Sequence, residues 1–171
     1  MIKPFPVLTV LTCLSVASTW PTLAAAGDEI SGVARVIDAD ILAIGNQRII
    51  LWGIDAPERN QTCSLAGRNW GGWQAAVRKL QTLAEDRSIQ CTSQAERDPL
   101  GRIFATCTTG GVDLGEAMVK SGLARAFRKQ SDMYRAAEDE AKAASLGLWQ
   151  KTAKYVDPWI WRLKKSRSPI R

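Results

Sequence analysis

Carboxylates and guanidinium groups are the side chains of this sequence whose types and spacing could do chemistry. The 171 residues include no histidine, which excludes Ser-His-Asp and Cys-His triads and histidine zinc sites. Acidic side chains cluster at Asp38 and Asp40 and again at Asp55 and Glu58, and Arg102 follows later. Carboxylates can hold a hard cation or activate water, and a guanidinium can bind an anion such as a phosphate. Each of these residues also has a structural alternative, as a turn residue, a loop cap or a surface ion pair.

The elements that must position these residues begin with short strands. Apolar residues alternate from Gly32 to Ile44, a Gly45-Asn46 turn follows, and a further apolar run extends from Arg48 to Ile54. Such alternation around a tight turn predicts two to three antiparallel strands. A second hairpin is predicted from Ser88–Thr92 and Arg102–Thr108, which flank a polar turn.

Apolar residues at helical spacing occur between and after these strands. Three helices are predicted: one over Trp70 to Leu83 with Asn69 as its N-cap, a short one that begins at a capping box of Asp113 and Glu116 and ends at Gly122, and one from Ser131 to Leu146. The order of strands, helix, strands and two helices predicts an α+β fold in which a small antiparallel barrel packs against helices.

The first 26 residues have the pattern of a signal peptide. Lys3 precedes an apolar run from Phe5 to Ala17, and small residues follow at Ala24-Ala25-Ala26. Threonines and serines interrupt this run, so it is too polar for a transmembrane anchor. We therefore expect cleavage after Ala26, a periplasmic or secreted protein, and no stable transmembrane segment in the mature chain.

Three cysteines remain after the expected cleavage, and an exported protein is expected to oxidise a suitable pair. Cys91 and Cys107 lie on the two strands of the predicted second hairpin, where they can face each other. We therefore predict a disulfide between them. Cys63 is then left over, and it is either buried, free or available for an intermolecular bond.

Positive charge is concentrated at the C-terminal end. Residues 151–171 contain seven lysines and arginines and one aspartate, whereas the rest of the mature chain is near neutral. We expect a domain over residues 27–162 and a basic tail over residues 163–171, which can contact nucleic acid, an anionic polysaccharide or a membrane surface. The alternative is a solvated, partly disordered tail. Trp159 and Trp161 indicate that the chain before this tail packs against the body.

Several separated motifs occur in an order typical of one protein family. They are Arg35-Val36-Ile37-Asp38-Ala39-Asp40, Gly53-Ile54-Asp55-Ala56-Pro57-Glu58, Asp98-Pro99-Leu100-Gly101-Arg102, Gly111-Val112-Asp113-Leu114, Gly122-Leu123-Ala124 and Gly147-Leu148-Trp149. Together they resemble the staphylococcal nuclease (thermonuclease) family over roughly residues 31–162. The stretch Gln61-Thr62-Cys63 and the ending Pro158-Trp159-Ile160-Trp161-Arg162 are similar to its exported bacterial branch. The resemblance implies an OB-fold, a five-stranded antiparallel β-barrel with three helices, and calcium-dependent cleavage of DNA and RNA phosphodiesters.

The resemblance also implies roles for individual residues. Asp40 and Asp55 correspond to the family's ligands of a calcium ion, since a hard cation is held by carboxylate oxygens. Glu58 corresponds to the glutamate that activates water. Arg102 corresponds to one of two arginines that clamp the phosphate.

The sequence departs from the family pattern at several of these positions. The second clamping arginine is expected eight residues before Glu58, and that position is Ile50. Ile41 replaces a threonine whose hydroxyl supports the cation, and Leu100 lies in a loop that commonly carries a basic residue and an aromatic one. These changes predict a weak nuclease or none, unless another arginine approaches the site, for which Arg48, Arg59 and Arg97 are the candidates.

Two further departures concern residues beside the expected site. A tyrosine that stacks on bases in the family is replaced in the region of Phe127 and Gln130. A second cysteine near the first helix is also missing, and Gly72 lies about where it is expected, which explains why Cys63 has no partner.

Two hypotheses of different classes follow. The first is an exported calcium-dependent endonuclease of reduced activity, whose partner is DNA or RNA. The second is a catalytically degenerate member that binds a polymer, because OB-type barrels accommodate oligonucleotides and oligosaccharides alike. Exported members of the family also resemble proteins encoded among rhizobial exopolysaccharide (succinoglycan) biosynthesis genes, which makes an accessory role with an anionic polysaccharide the specific form of the second hypothesis.

Overall fold

A computed structural model describes residues 28–167 of the chain. The expected signal peptide and residues 168–171 lie outside this range. In chain order the elements are β1 (Glu29–Asp38), β2 (Ile41–Ile44), β3 (Gln47–Leu51), β4 (Ile54–Asp55), β5 (Cys63–Leu65), β6 (Arg68–Trp70), α1 (Gly72–Ala84), β7 (Ser88–Ser93), β8 (Ile103–Thr109), β9 (Val112–Asp113), α2 (Leu114–Lys120), β10 (Arg125–Ala126), α3 (Arg135–Ala143), a 3-10 turn (Gly147–Trp149), β11 (Ala153–Lys154) and α4 (Pro158–Arg167).

Five of these strands form a closed barrel. Strands β3, β2, β1, β7 and β8 are antiparallel neighbours in that order, and β3 also pairs with β8. This closing pair is parallel, with Ile49 opposite Ile103 and Leu51 opposite Ala105. The predicted α+β OB-like fold is therefore confirmed. The barrel is mixed rather than purely antiparallel, because β8 returns from the β7 hairpin in the same direction as β3.

Alternate residues of the barrel strands point into a common core with two of the helices. The side chains buried there include Leu42, Ile49, Leu51, Ile89 and Ile103 from the strands and Leu80, Leu114 and Met118 from α1 and α2. Burial of side chains of this kind removes apolar surface from water and is the main favourable contribution to folding. This core fixes the barrel against the helices and gives its rim a stable frame.

The second hairpin carries the cysteine pair that the sequence analysis expects. Cys91 and Cys107 lie directly opposite each other in the register of β7 and β8 and form a disulfide, with Cα atoms 4.1 Å apart. Cys63 is a buried free thiol at the start of β5.

The predicted start of the short helix is confirmed, whereas that of the first helix is displaced. The carboxylate of Asp113 accepts a hydrogen bond of 2.9 Å from the backbone N–H of Glu116 at the start of α2. Helix α1 begins at Gly72 without a side-chain cap. Asn69 is not its N-cap, because it pairs with Ser64 in the small sheet of β5, β6 and β11.

The third helix begins later than predicted and a fourth is present. The Ser131 hydroxyl accepts a local hydrogen bond from the N–H of Met133, and α3 begins only at Arg135. Helix α4 continues through Leu163, where the sequence analysis placed the beginning of a loose tail. Lysines and arginines in its last turn favour the helix, since they oppose the partial negative charge of its C-terminus. No helix within the described part of the chain is long and apolar enough to cross a membrane.

Candidate functional site

A cavity of about 460 Å³ opens at the rim of the barrel, against α4. It brings together the four site residues predicted from the sequence, Asp40, Asp55, Glu58 and Arg102. The other residues that line it are Asp38, Ile41, Ile50, Ile54, Ala56, Pro57, Phe104, Phe127, Gln130 and Arg162. Carboxylates, guanidinium groups and apolar side chains therefore share one space.

Two short connections place the carboxylates at this rim. Asp40 lies in the turn between β1 and β2, and its backbone carbonyl accepts a hydrogen bond from the N–H of Leu51 at 2.9 Å. Asp55 lies on β4, which pairs with β10. The N–H of Ala56 lies 3.5 Å from Oδ2 of Asp40, so the turn and the β4 segment are brought side by side.

Asp55 is a buried carboxylate that is only partly neutralised. Its Oδ1 accepts a hydrogen bond of 2.7 Å from Nη1 of Arg162, while its Oδ2 is buried without a hydrogen-bond partner among the described residues. Burial raises the pKa of Asp55 above its ordinary value, and the guanidinium of Arg162 opposes this effect. A backbone hydrogen bond from Trp159 acts in the same direction as Arg162, so the desolvated carboxyl group of Asp55 is compensated only in part and from the side of α4.

Asp40 carries an unfavourable charge in this arrangement. Burial, followed by the negative charges of Asp55 and Glu58, raises the pKa of Asp40 to about 7. The N–H of Ala56 acts in the opposite direction and does not cancel these effects. The pair of aspartates therefore has more negative charge than its neighbours compensate, and a bound cation would relieve this excess.

Glu58 follows β4 and faces the same cavity. Its backbone N–H donates to the side-chain oxygen of Gln61 at 3.1 Å, which fixes the loop locally. Its Oε1 accepts a hydrogen bond of 2.6 Å from Nη1 of Arg162. Because the side chain of Glu58 retains 31% of its exposure, its carboxylate can still be reached by water.

Arg102 is held in place by Asp98. Nε and Nη2 of Arg102 both lie 2.6 Å from Oδ2 of Asp98, and the backbone N–H of Arg102 donates to Oδ1 at 2.8 Å. Two guanidinium nitrogens thus converge on one carboxylate oxygen, while the other oxygen binds the backbone of the same residue, and charge-assisted contacts of this kind restrict the guanidinium. The Asp98–Arg102 motif thus fixes a cation at the edge of the cavity, and Nη1 lies outside these contacts with Asp98.

The substituted positions form an apolar wall. In the strand register Ile50 lies opposite Ile41 on one side and Phe104 on the other, and all three line the cavity. Leu100 is 78% exposed and lies outside the lining. Ile50 and Ile41 therefore change the cavity surface directly, and Leu100 does not.

None of the three arginines proposed as replacements lines the cavity. Arg48 is exposed on β3, Arg59 lies over the ring of Trp73, and Arg97 donates to the carbonyl of Gly101. The second guanidinium of the cavity belongs instead to Arg162 on α4.

Arg162 is the residue that the sequence analysis did not assign. It ends the motif Pro158-Trp159-Ile160-Trp161-Arg162, which was recognised as a feature of the exported branch but carried no site residue. The motif itself is the available signal, because an arginine at a fixed distance from aromatic residues that pack on the body has a defined position.

Phe127 and Gln130 reach the cavity through the turn at Gly53. The N–H of Phe127 donates to the carbonyl of Gly53 at 2.8 Å. The N–H of Gly53 in turn donates to the side-chain oxygen of Gln130 at 3.1 Å. The region in which the sequence analysis placed a lost stacking tyrosine therefore does line the site.

The same region of the chain matches a known protein family. The family model for the staphylococcal nuclease homologue matches residues 48–151, which include Asp55, Glu58 and Arg102. The chain belongs to this family. Members of the staphylococcal nuclease homologue family typically use Ca²⁺, and their fold indicates nucleic-acid binding. Within residues 28–167, however, no three acidic, cysteine or histidine side chains converge closely enough to hold one metal ion.

One curated relative covers more of the chain than this family model. The succinoglycan biosynthesis protein ExoI of Rhizobium meliloti (strain 1021) is 32% identical over 133 residues, which cover 74% of this chain and 68% of that protein. The chain is therefore similar, over most of its length, to a protein whose name refers to succinoglycan biosynthesis.

Proposed function

We propose that this protein is an exported, thermonuclease-like phosphodiesterase that hydrolyses DNA or RNA slowly with Ca²⁺. The observation that carries the proposal is the convergence of Asp40, Asp55, Glu58 and Arg102 on one cavity. These residues come from three separate stretches of the sequence, and the resemblance to the family implies functional roles for them. Because the four side chains share one cavity, a common role in phosphodiester chemistry explains their arrangement better than four separate structural roles do.

The two aspartates would hold the cation. Among the described residues, the buried Oδ2 of Asp55 has no hydrogen-bond partner, and burial with neighbouring carboxylates raises the pKa of Asp40 to about 7. A hard cation bound by the two carboxylates would offset this unfavourable concentration of negative charge. When bound, Ca²⁺ would offset the negative charge that develops on the phosphate. Two carboxylates are few for calcium, which takes 6–8 oxygen ligands, so water and substrate oxygens would complete its coordination.

Glu58 and Arg102 would act on water and phosphate. Glu58 is half-buried and open to water, and its carboxylate would accept a proton from the water molecule that attacks the phosphate. Arg102, held by Asp98, would donate Nη1 to a phosphate oxygen. Both side chains line the space where the scissile phosphate would bind.

The apolar wall explains why we propose a low rate. Ile50 stands where the family has a clamping arginine, and loss of a guanidinium that stabilises transferring phosphate costs on the order of 10³–10⁵ in rate. Ile41 and Phe104 beside it provide no charge compensation.

The test is cleavage of single-stranded DNA and RNA by the mature chain, with Ca²⁺ and with a chelator. We expect slow, Ca²⁺-dependent cleavage that Glu58→Gln abolishes. Glu29→Gln is the matched control, because Glu29 is an exposed glutamate on β1 outside the cavity. Cleavage that survives Glu58→Gln, or that is absent from the parent, would contradict the proposal.

A second candidate function is a non-cleaving role with an anionic polysaccharide. The apolar wall at Ile41 and Ile50 and the name of the Rhizobium relative favour it. Binding of succinoglycan at a concentration where single-stranded DNA does not bind would decide for this candidate.

We also propose that residues 1–26 direct export and are removed. N-terminal sequencing of the protein from a periplasmic or secreted fraction is expected to begin at Gly27. A mature chain that still begins at Met1 would contradict this assignment.

A further inference from the structure

Arg162 places a second positive charge in the candidate site. Its Nη1 lies 2.7 Å from Oδ1 of Asp55 and 2.6 Å from Oε1 of Glu58. The two N–H groups of Nη1 are used by these two carboxylates. The three N–H groups on Nε and Nη2 lie outside this pair of contacts, and two of them form the planar edge that matches a phosphate.

The position of Arg162 is fixed by the way α4 docks. Arg125 donates to the carboxylate of Asp157, just before the helix, and lies over the ring of Trp159 at 5.5 Å from its centroid. Phe127 packs on the same ring, with the centroids 5.7 Å apart. Arg162 follows Trp159 by about one helical turn. Its guanidinium is therefore held at the cavity by a packed helix and not by a loose tail.

The two guanidinium groups of the cavity are held in a similar way. Asp98 orients Arg102 at one part of the wall, and Asp55 with Glu58 orients Arg162 at another. Each guanidinium thereby keeps N–H groups that are not used by its carboxylate partners. An anionic phosphodiester that enters this space would meet donors from both arginines, although β3 offers it only Ile50.

We propose that Arg162 is the second phosphate-binding guanidinium of this site, supplied by helix α4 in place of an arginine on strand β3. The inference rests on the proposed function, since it concerns the same phosphodiester substrate. It assigns to the C-terminal helix a direct part in substrate binding. It also predicts that an arginine introduced at Ile50 can substitute for Arg162.

The experiment measures binding without cleavage. Protein expressed from the full-length sequence is titrated into a fluorescein-labelled single-stranded oligothymidylate in a chelating buffer, and fluorescence anisotropy is recorded. Arg162→Ala is expected to weaken binding about tenfold or more, as for loss of a charge-assisted hydrogen bond. Arg167→Ala removes an exposed charge of the same helix outside the cavity and is expected to weaken binding less than about threefold.

Two further variants distinguish the loss of a phosphate contact from misfolding. Arg162→Lys keeps the charge beside Asp55 but lacks the planar edge, so it is expected to bind more weakly than the parent. The double variant Arg162→Ala/Ile50→Arg is expected to recover binding. Circular dichroism of each variant verifies the fold.

The outcomes separate this inference from the proposed function. If the parent binds the oligonucleotide without cleaving it in Ca²⁺, and Arg162→Ala weakens this binding, the hydrolytic function fails and the role of Arg162 stands. If the parent cleaves, but Arg162→Ala binds as Arg167→Ala does, the role of Arg162 is wrong. Tighter binding by Arg162→Ala would show that Arg162 blocks the cavity, and absence of binding by the parent would overturn both.

Discussion

The guanidinium of Arg162 lies 2.6 Å from the carboxylate of Glu58, although 104 residues separate them in the sequence. The same nitrogen contacts buried Asp55. Helix α4, which lies beyond residues 48–151 matched by the family model, therefore forms part of the cavity wall. The charge balance of the candidate site is set by the C-terminal helix as well as by the barrel.

Introducing an arginine at position 50 is expected to raise activity. Ile50→Arg places a guanidinium among Ile41, Phe104 and the cavity, where it can contact the phosphate, and single-stranded DNA cleavage in Ca²⁺ is expected to rise at least tenfold. Val33→Arg is the control, because it adds the same charge at a position that is 63% exposed and lies outside the cavity. Equal rates for the two variants would show that Ile50 does not limit catalysis.

Calcium is expected to stabilise the fold through Asp40. A ligand that binds only the folded state at 100 times its dissociation constant adds about 2.7 kcal/mol to the free energy of unfolding, so the parent should melt at a higher temperature in Ca²⁺ than in chelator. Asp40→Asn is expected to lose this difference, whereas Asp86→Asn, at an exposed turn, should keep it. If calcium raised the melting temperature of Asp40→Asn as much as that of the parent, Asp40 would not be a calcium ligand.

Glu138 is expected to make stability depend on pH. Burial raises the pKa of Glu138, but hydrogen bonds from Lys142 and Arg125 outweigh this effect and hold the pKa below its ordinary value. A carboxylate with a lowered pKa stabilises the fold above its ordinary pKa of 4.5, and this contribution is lost as the pH falls through the lower folded-state pKa.

Glu138→Gln tests this dependence by chemical denaturation. It is expected to lower the free energy of unfolding at pH 7 by roughly 1–3 kcal/mol, and the difference from the parent should shrink as the pH falls below the ordinary pKa of 4.5. Glu140→Gln, at an exposed position of the same helix, should have little effect at either pH. A deficit in Glu138→Gln that does not change with pH would contradict the ionic role.

A cysteine at position 72 is expected to pair with Cys63. A Cβ atom built on Gly72 would lie 2.9 Å from Sγ of Cys63, close to the separation of about 3 Å between a Cβ and the partner sulfur across a disulfide. Gly72→Cys should therefore contain no free thiol after oxidation and gain about 2–3 kcal/mol of stability. Gly71→Cys is the control, since a Cβ at Gly71 meets Gln74 instead, and its thiols should remain titratable.

Sequence patterns predicted the strands and helix starts that depend on residues close together in the chain. The alternation around Asp38-Ala39-Asp40 predicted β1 and β2, and the Asp113 capping box predicted the start of α2. The predicted start of α3 at Ser131 is wrong, because serine hydroxyls stabilise turns as well as helix starts. Here the Ser131 hydroxyl accepts a hydrogen bond from the N–H of Met133, two residues further along, in the turn that precedes the helix.

The remaining features depend on contacts between distant residues. The parallel pairing of β3 with β8 and the ion pair of Arg162 with Glu58 join segments that no spacing rule connects. The resemblance supplied the positions of Asp40, Asp55, Glu58 and Arg102, which converge as expected. It could not supply Arg162, because the motif that contains this residue was known only as an ending and the direction of α4 follows from packing on Trp159.

The most direct measurement is a crystal structure of the protein with Ca²⁺ and a dinucleotide. It would show whether one cavity gathers the cation, the base and the guanidinium groups around a phosphodiester. Calcium is expected at about 2.3–2.6 Å from carboxylate oxygens of Asp40 and Asp55, with the phosphate between Arg102 and Arg162 and near Glu58. An empty cavity, or a dinucleotide bound elsewhere on the surface, would contradict it.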